Sequence, residues 1–446
     1  MELYGKCRIA ACAQIIVATL APMACGLDLQ PKIDPLAHPL LEDGLVVGFV
    51  VGIVKDGQTQ VIAYGETTKG SHVAPNADTV YEIGSVSKAF TGVLLADMVR
   101  RGIVRLEDPV QKYLPAKVKM PVAGGTPITL EHLATHTSGL PRLPDNLKPA
   151  DPSNPYADYV ESQMNEFLMG HELRRPPGQH EYSNYGMGLL GHILAGQMGR
   201  TYEQCLVEQI CKPLGMQDTC ITLNEDQYKR LASPYNDALK LENTWDFPTL
   251  AGAGGIRSTC NDMIKFIHAN LTDDDKPLTQ ALRLSHQKRH TMKDGLAMGL
   301  GWHIARDGIT RWHNGMTGGF HSWLAVVPSH KLGVVVLANT ANMRITHFGE
   351  KVTRIAFGLD AEPPKSRKVV HVRSAVLESY AGVYMLAPQF ALTVTVEDGQ
   401  LMVQATGQHK FQVFAESKTK FFYKVVDAQI RDRQEINWTF WGSSVP

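Results

Sequence analysis

The sequence predicts an α/β protein: one sheet assembled from two separated stretches of chain, with a helical insertion beside it, followed by a small all-β unit. Two observations carry that expectation. Short β-branched and aromatic runs lie at 46–64 and again at 301–338, while helical patterns fill the interval between them. A sheet drawing on both ends is the natural way to bury those runs together. Past the Pro-rich stretch at 361–365 the texture turns to short alternating strands, which marks a boundary and a separate module. With 446 residues the chain has room for one large and one smaller domain.

Taken in order, the N-terminus reads as a secretory signal over residues 1–26. Lys6 and Arg8 precede an apolar run at 9–20, and small residues follow at Ala21, Ala24 and Gly26. The run falls short of the ~20 residues that span a bilayer. Cys25 raises a lipid anchor, but Pro22 stands where a lipobox carries an aliphatic residue and argues against it. Runs at 46–55 and 60–64, joined by Asp56-Gly57, form a hairpin. Residues 80–84 lead into an amphipathic helix over 89–102. Pro and Gly dominate 115–155, with a short helix near 130–135. Helices follow at 156–169, 187–198, 202–210 and 260–269. Strands are expected at 301–305, 309–312, 320–327 and 332–338, and a closing helix at 348–357. In the tail, strands at 391–396 and 401–405 flank Asp398-Gly399, and 411–414, 420–425 and 435–441 continue a meander or barrel.

The formal net charge of +0 argues against a nucleic-acid partner, which wants a basic face, and against a polybasic membrane surface. Four cysteines lie in the body: Cys205, Cys211, Cys220 and Cys260. Either some pair, with Cys211 and Cys220 flanking a Pro-Leu-Gly turn as first choice, or all four are small buried hydrophobes. No CxxC pair has zinc-ligand spacing. His132 and His136 are set at helical spacing without the glutamate a zinc-protease helix needs between them, so capping or core hydrogen bonding explains them. Gly252 to Gly255 lacks the Lys-Ser/Thr of a phosphate loop and reads as a buried turn beside a cleft. A solvated helix face explains His286 and His290 beside Lys288 and Arg289.

Three groups carry chemistry. In Ser85-Val-Ser-Lys88 a serine sits at a helix start, among unpaired N–H groups, and a lysine three residues on projects from the same face. That pairs a hydroxyl nucleophile with an amine that can take its proton; read alone, it is an N-cap serine with a solvated lysine. Tyr182-Ser183-Asn184 follows a Pro-Pro-Gly turn, so Tyr182 and Asn184 can face one cavity. Beside an ammonium a phenol loses its proton more easily, which would make Tyr182 a general base, while Asn184 offers a donor and an acceptor to a substrate amide. Residues 312–320, rich in glycine, can bring a strand N–H toward an acyl oxygen. With the N–H of Ser85 it would make an oxyanion hole, and His313 would supply a polar or cationic partner for substrate.

These elements, in this order, resemble the serine β-lactamase and penicillin-binding superfamily, in its class C-like branch, over residues 40–358. Segments 128–141, Pro177-Gly178, 213–216 and 253–259 share the resemblance. It implies an antiparallel sheet with helices on both faces over 36–360. It implies Ser85 as nucleophile, Lys88 as its proton partner, Tyr182 as base and Asn184 as amide ligand. His313-Asn314-Gly315 stands as the third motif, with Ser85 and Met316 N–H groups as the oxyanion hole. True class C β-lactamases carry Lys-Thr-Gly there; histidine resembles the D-aminopeptidase, esterase and peptidase relatives. A histidine that loses its charge near neutral pH would hold a substrate carboxylate less well, so KM for anionic substrates should rise with pH. Tyr380-Ala-Gly-Val-Tyr384 resembles the lipocalin-like domain appended to such peptidases, here 370–446.

The expectation is an exported, periplasmic or secreted serine hydrolase. It would turn over β-lactams or D-amino-acid peptides through an acyl-enzyme with no metal or organic cofactor, and peptidoglycan is a conceivable partner. A carboxylesterase on the same scaffold is one alternative. A penicillin-sensing or cell-wall-binding protein that acylates without turnover is another.

Overall fold

A computed structural model of the chain describes residues 27–363, 369–387, 390–406, 410–423 and 429–431. The targeting segment, Cys25 included, and the strand expected at 435–441 lie outside these residues. Helix α1 (Gln30–Glu42) opens the fold, and the hairpin β1 (Gly48–Lys55) and β2 (Gln58–Gly65) follows. Asp56 and Gly57 close that hairpin with φ of 50° and 82°, the left-handed pair a two-residue turn demands. Then come β3 (Val80–Glu82), α2 (Ser87–Arg100), α3 (Leu130–Ala134), α4 (Glu161–Gly170), α5 (Asn184–Gln197) and β4 (Arg257–Thr259). A helix at Cys260–Leu271 leads to β5 (His290–Thr291), β6 (Ala297–Met298), β7 (His303–Ile304), β8 (Arg311–Met316), β9 (His321–Val327) and β10 (Leu332–Ala338). A helix at Arg344–Phe357 ends the large unit.

The main sheet runs β2-β1-β10-β9-β8-β7-β6-β5, antiparallel throughout. The expected joining of early and late strands is the β1–β10 pair, in register from Phe49 against Ala338 to Lys55 against Leu332. Alternate residues of a strand face opposite sides. Here Phe49, Val51 and Ile53 pack with α1 and the Arg344–Phe357 helix, while Val50 and Val54 pack with α2, α5 and the rest of the helical layer. Both faces are covered, which is why these strands read as unbroken apolar runs.

Several sequence expectations are corrected. The helix expected from 156 starts at Glu161, because Val160 is extended and Gln163 Oε1 caps its N–H at 2.9 Å. The strand expected at 309–312 instead covers Arg311–Met316 and includes the third motif. The ladder to β9, with His313 opposite Leu324 and Gly315 opposite Ser322, overrides the weak strand preference of Asn and Gly. No disulfide joins Cys211 to Cys220; all four body cysteines are free and buried, as small hydrophobes. His286 is not on a solvated face: it is buried against Trp302 and hydrogen-bonds Asn270 Oδ1 at 2.8 Å.

The tail is a meander of β11 (Gly382–Ala387), β12 (Phe390–Glu397), β13 (Gln400–Ala405), β14 (Lys410–Ala415), β15 (Lys420–Tyr423) and β16 (Gln429–Arg431), each paired with the next. Leu392, Val394, Leu401, Val403 and Val413 give it a hydrophobic cluster of its own. Among the described residues no helix is long and apolar enough to cross a membrane.

Candidate active site

Ser85 lies in a tight 3₁₀ turn, Gly84–Val86, just ahead of α2 rather than in its first α-turn. Gly84 takes a φ of +50°, and a Cβ there would stand 2.7 Å from the Met316 nitrogen. Gly315 approaches from β8: a Cβ on it would strike the Ile83 carbonyl and stand 2.9 Å from the Ser85 nitrogen. The two glycines thus let the backbones of Ser85 and Met316 close on each other. Ser322 Oγ donates to Ile83 O at 2.7 Å, and Ser87 Oγ donates to Gly84 O at 2.7 Å, fixing both sides of the turn. If the two nitrogens act on one oxyanion, Gly315→Ala should lower kcat by about 10²–10³, the cost of losing one such donor. Single-turnover kinetics with an ester, read beside the variant's circular dichroism, would separate that loss from unfolding.

Lys88 is fully buried. Its Nζ lies 2.9 Å from Ser85 Oγ and donates to Ala253 O at 2.5 Å. The Ala251–Gly254 turn that supplies this carbonyl is tied to α2 by Thr91 Oγ, which donates to Gly252 O at 2.8 Å. Burial, and then the Arg142 charge, hold the lysine well below the usual ammonium range. A neutral amine keeps a lone pair for the serine proton.

Tyr182 comes from a stretch 97 positions away and places its hydroxyl 2.8 Å from Ser85 Oγ. Its loop is locked on several sides. Ser183 Oγ donates to Pro141 O at 2.7 Å and accepts from Gly186 N at 2.8 Å, capping α5. Ser183 N donates to His136 Nδ1 at 3.1 Å, and the His136 ring lies 4.4 Å from that of Tyr182. The expectation that this phenol ionises easily is corrected. Burial pushes its pKa up, outweighing the Ser85 hydrogen bond and the Arg142 charge that act the other way. With Lys88 shifted down and Tyr182 up, both shifts favour amine and phenol over ammonium and phenolate, and the phenol donates to Ser85. Asn184 Oδ1 is buried and has no hydrogen-bond partner among the described residues, which leaves an acceptor for a ligand.

His313 is buried, and its Nδ1 hydrogen-bonds Asn314 O at 2.5 Å. Burial first, then His303 and Lys88, hold it well below the usual imidazole range. It is therefore neutral through physiological pH, which corrects the expected titration. KM for an anionic substrate, measured from pH 6 to 8, should carry no step from His313; a step lost in His313→Asn would contradict this. The structure thus brings Ser85, Lys88 and Tyr182 together, with the Gly315–Met316 backbone against the Ser85 turn and His313 6.3 Å from the Tyr182 ring, while Asn184 follows at the start of α5. Sequence reasoning missed His136 and Ala253 as supports: the first was read as a core histidine without its partner, and a carbonyl leaves no mark in a sequence.

Residues 33–349 match the family model described as Beta-lactamase, and residues 366–440 match one described as a domain of unknown function, DUF3471. The D-alanyl-D-alanine-carboxypeptidase/endopeptidase AmpH of Escherichia coli (strain K12) is 33% identical over 351 residues, covering 74% of this chain and 90% of that protein. A Pseudomonas fluorescens beta-lactamase is 30% identical over 351 residues, covering 70% and 94%. Among solved structures, a Yersinia pestis beta-lactamase/D-alanine carboxypeptidase complexed with citrate aligns with a TM-score of 0.64 at 26% identity, over 73% of this chain and 96% of that one. A class C beta-lactamase aligns with a TM-score of 0.64 at 23% identity, over 75% and 97%, and shows the shared fold.

Proposed function

Since this chain belongs to the beta-lactamase family and is a serine hydrolase, we propose that it hydrolyses D-amino-acid peptides of the D-alanyl-D-alanine type, and β-lactams, through an acyl-enzyme on Ser85. The observation that carries this reading is the convergence of the Lys88 amine and the Tyr182 hydroxyl on one serine oxygen, at 2.9 and 2.8 Å. Ser85 Oγ attacks the scissile carbonyl as its proton passes to Lys88 Nζ. The N–H groups of Ser85 and Met316 hold the oxyanion. Tyr182 gives its proton to the departing nitrogen and recovers one from Lys88. Water then attacks the ester by the same route reversed, giving up its proton to that pair and returning the serine hydroxyl. Asn184 binds the substrate amide, and His313 lines the site as a neutral group. The names of the relatives support the substrate class.

We read residues 36–360 as the catalytic domain and 370–446 as a separate all-β unit, on the ground of their separate hydrophobic clusters. The apolar run at 9–20 supports export. A neutral His313 favours a second reading, a carboxylesterase. Purified enzyme tested on a D-Ala-D-Ala peptide, nitrocefin and a p-nitrophenyl ester, with intact-mass detection, decides among these. Faster peptide than ester turnover supports the first reading, and ester turnover alone supports the second. A lasting adduct without turnover would point to sensing instead.

A further inference from the structure

The third motif supplies no cation, yet a peptide cut at its C-terminal residue brings a free carboxylate to the site. Arg142 stands where that charge can be met. Its guanidinium carbon lies over the Tyr182 ring, 5.2 Å from the centroid. Its backbone is pinned to the same loop: Asn184 N and Tyr185 N donate to Arg142 O at 3.0 and 3.2 Å, next to the Ser183–Pro141 bond. The side chain is exposed, and among the described residues no acid pairs with it. By contrast Arg175, whose carbonyl borders the same segment at Gly139, is taken up by Glu181. Lys88 Nζ lies 4.9 Å from the same ring centroid but is buried and bound to Ser85 and Ala253, so it is not free for a substrate carboxylate.

We propose that Arg142 is the carboxylate receptor of this enzyme, selecting peptides whose departing residue carries a free C-terminal carboxylate. The assignment rests on the acyl-transfer reading above. Tyr182 serves the departing nitrogen, and the carboxylate of that residue is only two bonds further on. A guanidinium lying over the same ring, on a backbone pinned to the Tyr182 loop, is therefore beside the leaving group, not the acyl part. Its planar fork suits a carboxylate better than an ammonium does.

The test compares one D-Ala-D-Ala tripeptide with its C-terminal amide, as the ratio of their kcat/KM values, in wild type, Arg142→Gln and Arg142→Lys. The ratio should favour the free acid in wild type and fall about tenfold or more in Arg142→Gln, the size of a lost charge-assisted hydrogen bond. Most of the change should lie in KM, with Arg142→Lys in between. A ratio that stays within about threefold of wild type in Arg142→Gln, on the same scale, overturns the proposal. If Arg142→Gln does not fold, Arg142→Lys and the salt dependence of the wild-type ratio decide. That ratio should decline as NaCl rises, and a flat response counts against Arg142. Intact-mass detection of the Ser85 acyl-enzyme on the amide separates the two failures. An adduct with an unchanged ratio sinks only the receptor, whereas no adduct on any substrate sinks the acyl-transfer reading and Arg142 with it.

Discussion

Ser85→Ala is expected to end turnover of every substrate, by a factor of about 10⁴ or more, and to leave no covalent adduct after incubation with a β-lactam. The reason is that one oxygen receives both the amine and the phenol. Its removal takes away the bond-forming atom and leaves Lys88 and Tyr182 with nothing to exchange a proton with. The fold should survive, because the Ser85 side chain is partly exposed and the turn around it is held by Ser87, Ser322 and Gly315 instead. Intact-mass spectra and ester kinetics on the variant check this together. An adduct of normal mass on Ser85→Ala would place the nucleophile elsewhere.

Lys88→Met should lower kcat by about 10²–10⁴, the usual worth of a positioned base, and should also stabilise the protein at neutral pH. The second effect follows from the same burial. In the folded chain the amine sits well below its ordinary value of 10.5, held there by burial and then by Arg142. Between the folded and unfolded values the unfolded chain carries a proton that the folded chain does not. Lowering the pH through that window therefore favours unfolding, and the stability present above the unfolded pKa is progressively lost. Methionine has no proton to bind. The rise in Tm of Lys88→Met over wild type should thus be larger at pH 7 than at pH 10. Equal differences at both values would mean that Lys88 is charged in the fold and cannot be the resting base. A lysine kept neutral inside the protein trades stability for reactivity.

Much of this was legible in the chain. The β1–β2 hairpin followed from Asp56-Gly57 between two apolar runs, and β10 was found at its observed limits because a run of six apolar residues and Gly333 is bounded by turns. Ser85 and Lys88 were legible as a pair because a three-residue spacing in helical backbone sets side chains on one face, although Ser85 itself lies in the 3₁₀ turn ahead of α2. Tyr182 was legible as the base beside Ser85 only through the resemblance, because 97 positions of chain separate the two and no spacing rule links them. Helix starts were less so: at 160–161 the deciding event is one side-chain cap. The extent of β8 was misread because its residues are poor strand formers, and only the ladder to β9 makes them a strand.

The sequence by itself determined which chemical groups this protein owns and the local geometry that ties some of them: the serine with its lysine, the hairpin, the glycines that permit close approach. Those are matters of spacing along the chain and of backbone freedom. Only the tertiary structure decided their protonation and their pairing. Burial holds Lys88 and His313 well below their ordinary ranges and lifts Tyr182 above its own, and residue type alone implies none of these shifts. The cost of a charge depends on the surrounding dielectric and neighbours, and those come from segments far apart in sequence.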